Sequence, residues 1–95
     1  MPRLDDAAIA RELATLHGWT YASGTLTRKI AFPSFPAGIA FVNRVAELAE
    51  QAGHHPDITI NYSTVTLALS THDAGGVTEK DLDLARRIDA LAPGG

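Results

Sequence analysis

The sequence predicts a two-layer α+β domain in which three helices cover one face of a four-stranded antiparallel sheet. The hydrophobic period alternates between 3.6 and two along the chain, which gives the element order αββαββα. A short turn joins the members of each strand pair, so both pairs are antiparallel hairpins. A chain of 95 residues has the size of one domain with one core, and we expect residues 1–95 to form a single domain.

The first third of the chain predicts a short helix and a hairpin. The helix spans residues 6–16 and ends before Gly18, a typical helix stop. Its apolar stripe at helical spacing consists of Ile9, Leu13 and Leu16. The hairpin pairs residues 19–22 with residues 26–32 through a Ser-Gly turn. Arg28 interrupts the apolar face of the second strand, and the simplest interpretation is a solvated side chain.

The middle of the chain predicts a long helix followed by a second hairpin. Pro36 suits the first turn of a helix. The apolar stripe of residues 36–52 is wide, which indicates burial against more than one surface. Apolar and polar residues then alternate through residues 58–62 and 64–70, with a short connection between them. This alternation is typical of two half-buried antiparallel strands.

A polar loop over residues 71–76 precedes the third predicted helix. Thr78 and Asp81 have the spacing of a capping box, in which each side chain accepts a hydrogen bond from the other residue's backbone N–H. The apolar face that follows consists of Leu82, Ala85, Ile88 and Leu91. This helix is predicted to end before Pro93.

Composition and charge argue against several classes of function. Eight Lys and Arg against eleven Asp and Glu give a net charge of −3, which disfavours binding to a nucleic-acid backbone. The chain has no cysteine, so disulfides, thiolate catalysis and cysteine-based metal sites are excluded. The acidic start and the short apolar stretches predict neither a signal peptide nor a membrane span. We therefore expect a cytoplasmic protein that binds neither nucleic acid nor membrane.

Three of the four histidines flank the second predicted hairpin. His54 and His55 follow the long helix, and His72 follows the last strand. Because the hairpin turns near its midpoint, its two arms have similar lengths and the chain returns His72 to the vicinity of the histidine pair. Glu50 lies four residues before His54, on the same helix face if the helix continues that far. Asp81 follows in the first turn of the third helix.

A histidine cluster beside carboxylates suits proton transfer at neutral pH. An imidazole titrates at about pH 6.5, so it can act as a general acid or base, and a neighbouring carboxylate can fix its tautomer. Two other interpretations of His54-His55 are a helix end with solvated imidazoles and a metal site. A metal site is disfavoured because adjacent residues of an extended chain point to opposite sides. Asp81 is also explained as a first-turn acid of the helix, and Trp19 as core packing.

Seven residues of this region lie at fixed spacings: Glu50, His54, His55, Pro56, Tyr62, His72 and Asp81. This pattern resembles the signature of the pterin-4a-carbinolamine dehydratase family. Three short segments are also similar to that family: Gly18-Trp19, Ser70-Thr71-His72 and Thr78-Glu79-Lys80-Asp81. The likeness runs from residue 18 to residue 88, and the family has the same αββαββα order. Gly53 and Lys80 depart from residues often found there, and neither position is a proposed proton carrier.

The resemblance implies dehydration of 4a-hydroxytetrahydropterin to quinonoid dihydropterin, a step that recycles the pterin of aromatic amino acid hydroxylases. It assigns catalysis to three histidines: His54, His55 and His72. His54 and His72 would act as general acids or bases on either side of the pterin ring, and His55 would position it. Three further residues would bind the substrate or orient the histidines: Glu50, Asp81 and Trp19. The implied reaction needs no metal and no cofactor.

The resemblance also implies partners and an alternative function. Relatives of this fold serve as a dimerisation cofactor of a transcription factor or as a Rubisco assembly factor, so a non-catalytic protein-binding module is the alternative. The intact set of three histidines favours the enzyme. Hairpins leave exposed sheet edges that a small domain often covers with a second copy, and the family forms dimers and tetramers. We therefore expect a homodimer or homotetramer.

Overall fold

The computed structural model describes residues 2–92, which fold into three α-helices, one 3₁₀ turn and one sheet. The elements in chain order are α1 (Asp6–Leu13), β1 (Trp19–Ala22), β2 (Thr25–Ala31), α2 (Phe35–Ala52), β3 (Asp57–Asn61), β4 (Thr64–Leu69), a 3₁₀ turn (His72–Ala74) and α3 (Glu79–Leu91). This order confirms the predicted fold class. Among the described residues, no helix combines the length and the apolar character that crossing a membrane requires.

The sheet joins the two hairpins through their second strands. Its order is β1-β2-β4-β3, and every neighbouring pair is antiparallel. The central pairing runs from Leu26 opposite Leu69 to Ala31 opposite Thr64. The strands β1 and β3 therefore form the two edges, and the end of β4 lies in the half of the sheet that also contains the start of β3.

The core lies between one face of this sheet and all three helices. The buried apolar strand residues on that face are Trp19, Leu26, Ile30, Val65, Leu67 and Leu69. The helices contribute Ile9, Phe41, Val45, Leu82, Ala85 and Ile88 to the same cluster. Full burial of a large aliphatic side chain contributes about 1.5–3 kcal/mol. Because the opposite face of the sheet carries polar residues such as Lys29 and Thr59, the apolar face fixes which side the helices cover.

The first helix ends earlier than its apolar stripe predicts. It stops at Leu13 instead of residue 16, and a tighter turn follows in which the Leu16 N–H donates to the Leu13 carbonyl at 3.1 Å. Leu16 is nevertheless buried. Gly18 then adopts φ +78°, a left-handed conformation that favours glycine, and turns the chain into β1.

Arg28 is buried, contrary to the prediction of a solvated strand residue. Its guanidinium forms an ion pair with Asp89 on α3. The same carboxylate accepts the Trp19 indole N–H at 2.7 Å and the His17 backbone N–H at 2.9 Å. Trp19 and Arg28 are opposite each other across the first hairpin, so one buried carboxylate holds α3 against β1 and β2.

We expect Asp89→Ala to lower the free energy of unfolding by about 3–5 kcal/mol, because it leaves the buried Arg28 charge without a partner. Urea unfolding followed by Trp19 fluorescence measures this change. Asp83→Ala is the matched control, since Asp83 lies on the same helix in an exposed ion pair with Arg87 at 3.3 Å and its loss costs under about 0.5 kcal/mol. Equal losses in the two variants would contradict the assigned role of Asp89.

Candidate active site

The end of α2 places the His54 side chain against the first turn of α3. Gly53 caps the helix at φ +63°, and the His54 backbone N–H still donates to the Ala49 carbonyl at 3.1 Å. This left-handed residue turns the chain so that the His54 imidazole points inward, where only 13% of its side chain is exposed. Its Nε2 lies 2.5 Å from Oδ1 of Asp81. One ring nitrogen of His54 is therefore bound to a carboxylate.

Asp81 both caps α3 and contacts the ring of His54. Its side chain is completely buried, and Oδ2 accepts the Thr78 backbone N–H at 2.9 Å, which completes the predicted capping box. The Thr71 hydroxyl donates to the same oxygen at 2.8 Å. The carboxylate is therefore a helix cap and the partner of His54 at once. A buried carboxylate is tolerated when donors satisfy it in this way.

The three predicted histidines line one open cleft of about 340 Å³. Its complete lining is Gly53, His54, His55, Ser70, Thr71, His72, Asp73 and Lys80. The second hairpin thus returns His72 to the histidine pair, as the similar lengths of its arms predict. His72 is fully exposed, with Nδ1 at 3.8 Å from Asp73. The cleft therefore presents one imidazole that is held in place and two that face solvent.

Glu50 binds His55 rather than His54. The distance between Glu50 Oε2 and His55 Nε2 is 2.5 Å, and both side chains are mostly exposed. The condition for Glu50 to share a helix face with His54 is not met, because α2 ends at Ala52, before the helical spacing reaches residue 54. Each histidine of the pair consequently has its own carboxylate.

Trp19 and Tyr62 lie outside the cleft. Trp19 is buried, and its indole nitrogen is bound to Asp89 beside β1 and β2. Tyr62 lies in the turn after β3 at φ +62°, and its side chain is largely exposed. The structure therefore supports core packing for Trp19 and does not bring either ring to the histidines.

Sequence reasoning assigned no role to several groups that line the cleft, Thr71 and Lys80 among them. Strand alternation provides a signal for the first, since it places Thr71 on the same buried face as Leu69 and turns His72 outward. Lys80 follows the capping residue Thr78, whose hydroxyl accepts the Lys80 backbone N–H at 3.3 Å. Among residues 2–92, no three His, Asp or Glu side chains are arranged to hold one metal ion.

The sequence matches the protein family described as Pterin 4 alpha carbinolamine dehydratase over residues 2–91. The chain belongs to this family. A relative from Thermomicrobium roseum, provisionally named a pterin-4-alpha-carbinolamine dehydratase, is 55% identical over 97% of this chain and 99% of its own length. A relative of the same provisional name from Nocardia farcinica is 56% identical over 94% of each chain.

Two solved structures are similar to this one. A crystal structure of a transcriptional coactivator/pterin dehydratase from Brucella melitensis has a TM-score of 0.92 and 33% identity, and the match covers 96% of this chain and 99% of that chain. A pterin dehydratase-like protein identified as a RuBisCO assembly factor in the α-carboxysome has a TM-score of 0.66 and 30% identity. This match covers 80% of this chain and 90% of that chain. The family fold is thus found with more than one described role.

We expect Asp81→Ala to lower the free energy of unfolding by about 2–4 kcal/mol, because it removes a helix cap and leaves buried donors unpaired. Thermal and urea unfolding measure this loss. Glu79→Ala, in the same helical turn but exposed, serves as the control and costs under about 1 kcal/mol. A variant as stable as Glu79→Ala would show that the buried network around Asp81 contributes nothing to folding.

Proposed function

We propose that this chain dehydrates 4a-hydroxytetrahydropterin to quinonoid dihydropterin by histidine general acid–base catalysis. The observation that carries the proposal is one mostly buried imidazole, bound to a carboxylate, beside two exposed imidazoles in a single polar cleft. Membership of the dehydratase family supports the choice of substrate. In the cell, the reaction would return the pterin of aromatic amino acid hydroxylases to its recycling pathway in the cytoplasm.

The reaction needs two proton transfers and no change of oxidation state. One proton is delivered to the hydroxyl on C4a, the C4a–O bond breaks, and the group leaves as water. The proton on N5 is removed, and its electron pair forms the new double bond to C4a. A group that donates a proton and a group that accepts one therefore suffice, and imidazoles perform both tasks near neutral pH.

We assign the two proton transfers to His54 and His72. His54 is held by Asp81 and lines the wall of the cleft, whereas His72 extends from the loop after β4 with its ring in solvent. A planar pterin between the two groups would have one on either side of its ring. His55, paired with Glu50, lies next to His54 and would position the pterin.

The apolar residues of α2 and β3 support self-association. We name as the α2/β3 surface the partly or fully exposed residues Phe35, Ile39, Val42, Ala46, Ile58 and Ile60. Among the described residues β3 pairs only with β4, so its outer edge offers unpaired backbone groups to a partner. Ile60 lies opposite the buried Val65 on the core side of the sheet but is itself exposed. We propose that a second copy covers this surface in a homodimer or homotetramer.

A non-catalytic protein-binding module is the second candidate, and the α2/β3 surface is the observation that favours it. The same apolar surface would suit a different protein as well as a second copy. A binding role, however, gives no reason for a buried carboxylate to hold an imidazole at the wall of an open cleft. The dehydratase proposal accounts for both the cleft and its fixed histidine.

We expect His54→Ala and His72→Ala each to lower the dehydration rate by about 10²–10⁴-fold, the usual contribution of a general acid or base. Absorbance of the quinonoid product, measured against the spontaneous reaction, checks this. His17→Ala is the matched control, because His17 follows α1, is not among the residues that line the cleft, and binds Asp89 through its backbone N–H.

Each pattern of rates has a distinct meaning. Wild-type rates in both cleft variants would contradict the assignment of His54 and His72. A wild-type rate equal to the spontaneous reaction would contradict the enzyme and favour the binding module, whose partner a pull-down with the intact chain would then seek.

We expect Ile60→Lys to shift the chain toward monomer at micromolar concentration, because it buries a charge in the proposed interface. Size-exclusion chromatography with light scattering measures the mass. Thr59→Lys is the control, since Thr59 lies on the same strand with its side chain on the opposite face. The same mass for both variants, or a monomeric wild type, would contradict association through the α2/β3 surface.

A further inference from the structure

The two oxygens of the Asp81 carboxylate have different partners. Oδ2 accepts the Thr71 hydroxyl at 2.8 Å and the Thr78 backbone N–H at 2.9 Å. Oδ1 lies 2.5 Å from Nε2 of His54. An ionised carboxylate only accepts hydrogen bonds, so the His54 ring is the donor and the hydrogen between Oδ1 and Nε2 lies on Nε2.

The direction of the hydroxyl hydrogen bonds follows from the same contacts. Thr71 has one hydroxyl hydrogen, and its bond to Asp81 Oδ2 uses it. The Thr71 and Thr78 hydroxyl oxygens are 2.8 Å apart, so Thr78 must donate to Thr71. Thr78 Oγ1 in turn accepts the Lys80 backbone N–H at 3.3 Å. The hydrogen bonds thus form one chain in a single direction. Thr78, at the start of α3, donates to Thr71, and Thr71 donates to the Asp81 carboxylate.

The other ring nitrogen of His54 is free to react. Nδ1 has no protein partner among the described residues, and none of their buried side-chain nitrogens or oxygens lacks a partner. Nδ1 is therefore accessible, and the surface that His54 presents is the wall of the cleft. A proton that enters or leaves this imidazole from the cleft does so at Nδ1.

We infer that Nδ1 is the nitrogen through which His54 exchanges protons with the substrate, and that Thr71 is the positioning residue that keeps the carboxylate on Nε2. The inference rests on the proposed dehydratase function and specifies how its site works. Thr71 holds the Asp81 carboxylate in the orientation that leaves Oδ1 for the ring. Because Thr71 directly precedes His72, its hydroxyl also ties the loop that carries the second proton carrier to the first.

The tautomer is tested without any enzymatic assay. In uniformly ¹⁵N-labelled protein, two-bond ¹H–¹⁵N spectra distinguish the protonated from the unprotonated ring nitrogen of each neutral histidine, and His54→Gln identifies the His54 signals. We expect neutral His54 to have its hydrogen on Nε2 and none on Nδ1. A neutral ring with its hydrogen on Nδ1, or an even mixture, would overturn the inference even in an active enzyme. If the wild type is inactive, the proposed function fails while this measurement still decides the tautomer.

The positioning role is tested by Thr71→Val, which keeps the shape of the side chain and removes the hydroxyl. We expect kcat to fall about 10-fold or more with little change in KM, since displacement of a catalytic group by a fraction of an ångström has effects of this size. The His54 ring should also become a mixture of tautomers. Thr71→Ser should restore both properties, because it restores the donor.

Thr66→Val is the matched control, since Thr66 lies on β4 at a half-buried position outside the cleft. Its kcat and its His54 tautomer should equal those of the wild type. If Thr71→Val resembles this control, or if Thr71→Ser is as impaired as Thr71→Val, Thr71 is not a positioning residue. If Thr71→Val does not fold, the kinetics and spectra of Thr71→Ser decide the question, since an impaired serine variant overturns the role and a wild-type one supports it.

Discussion

The buried carboxylate of Asp81 is the group on which both the last helix and the histidine cleft depend. It caps α3 through the Thr78 N–H and binds Nε2 of His54 across 27 residues of sequence. A carboxylate without partners at this depth would cost several kcal/mol. The donors from the loop before α3 remove that cost, so the fold can keep an acid where the imidazole needs one. The position of His54 in the cleft therefore depends on the first turn of α3 being folded.

A second buried acid, Asp89, connects the other end of α3 to neighbouring elements, as Asp81 connects its first turn. It binds Arg28, Trp19 and a backbone N–H before β1. Buried ion pairs add little net stability over apolar packing, yet removing one partner is costly because it leaves the other charge buried and unpaired. The two acids thus define the position of α3 over the sheet at both ends. The apolar core between them stabilises the fold, and the two acids link the helix to Arg28 and Trp19 near one end and to Thr71 and His54 near the other.

The parts of this structure that the sequence predicts are those with short-range causes. The capping box of Thr78 and Asp81 is visible because its two members are three residues apart, and the return of His72 follows from the length of one hairpin. The ion pair of Arg28 with Asp89 joins residues 61 positions apart, and no local pattern indicates it. Glu50 binds His55 and not His54, and this depends on one residue, Gly53. Its left-handed conformation ends α2 before His54. Such contacts follow from the tertiary arrangement, so the hydrophobic period of the sequence does not predict them.

The two proposed proton carriers differ in how far the fold has prepared them. His54 is ordered before any substrate arrives, because its ring is mostly buried and bound to Asp81. The ring of His72 is in solvent, and holding one such side chain on binding costs about 0.5–1.5 kcal/mol of entropy. In the proposed reaction this entropy cost weakens substrate binding. The open side of the cleft lets a planar ring enter between His54 and His72. Thr71 limits the cost, because the backbone that carries His72 begins at a residue already fixed to Asp81.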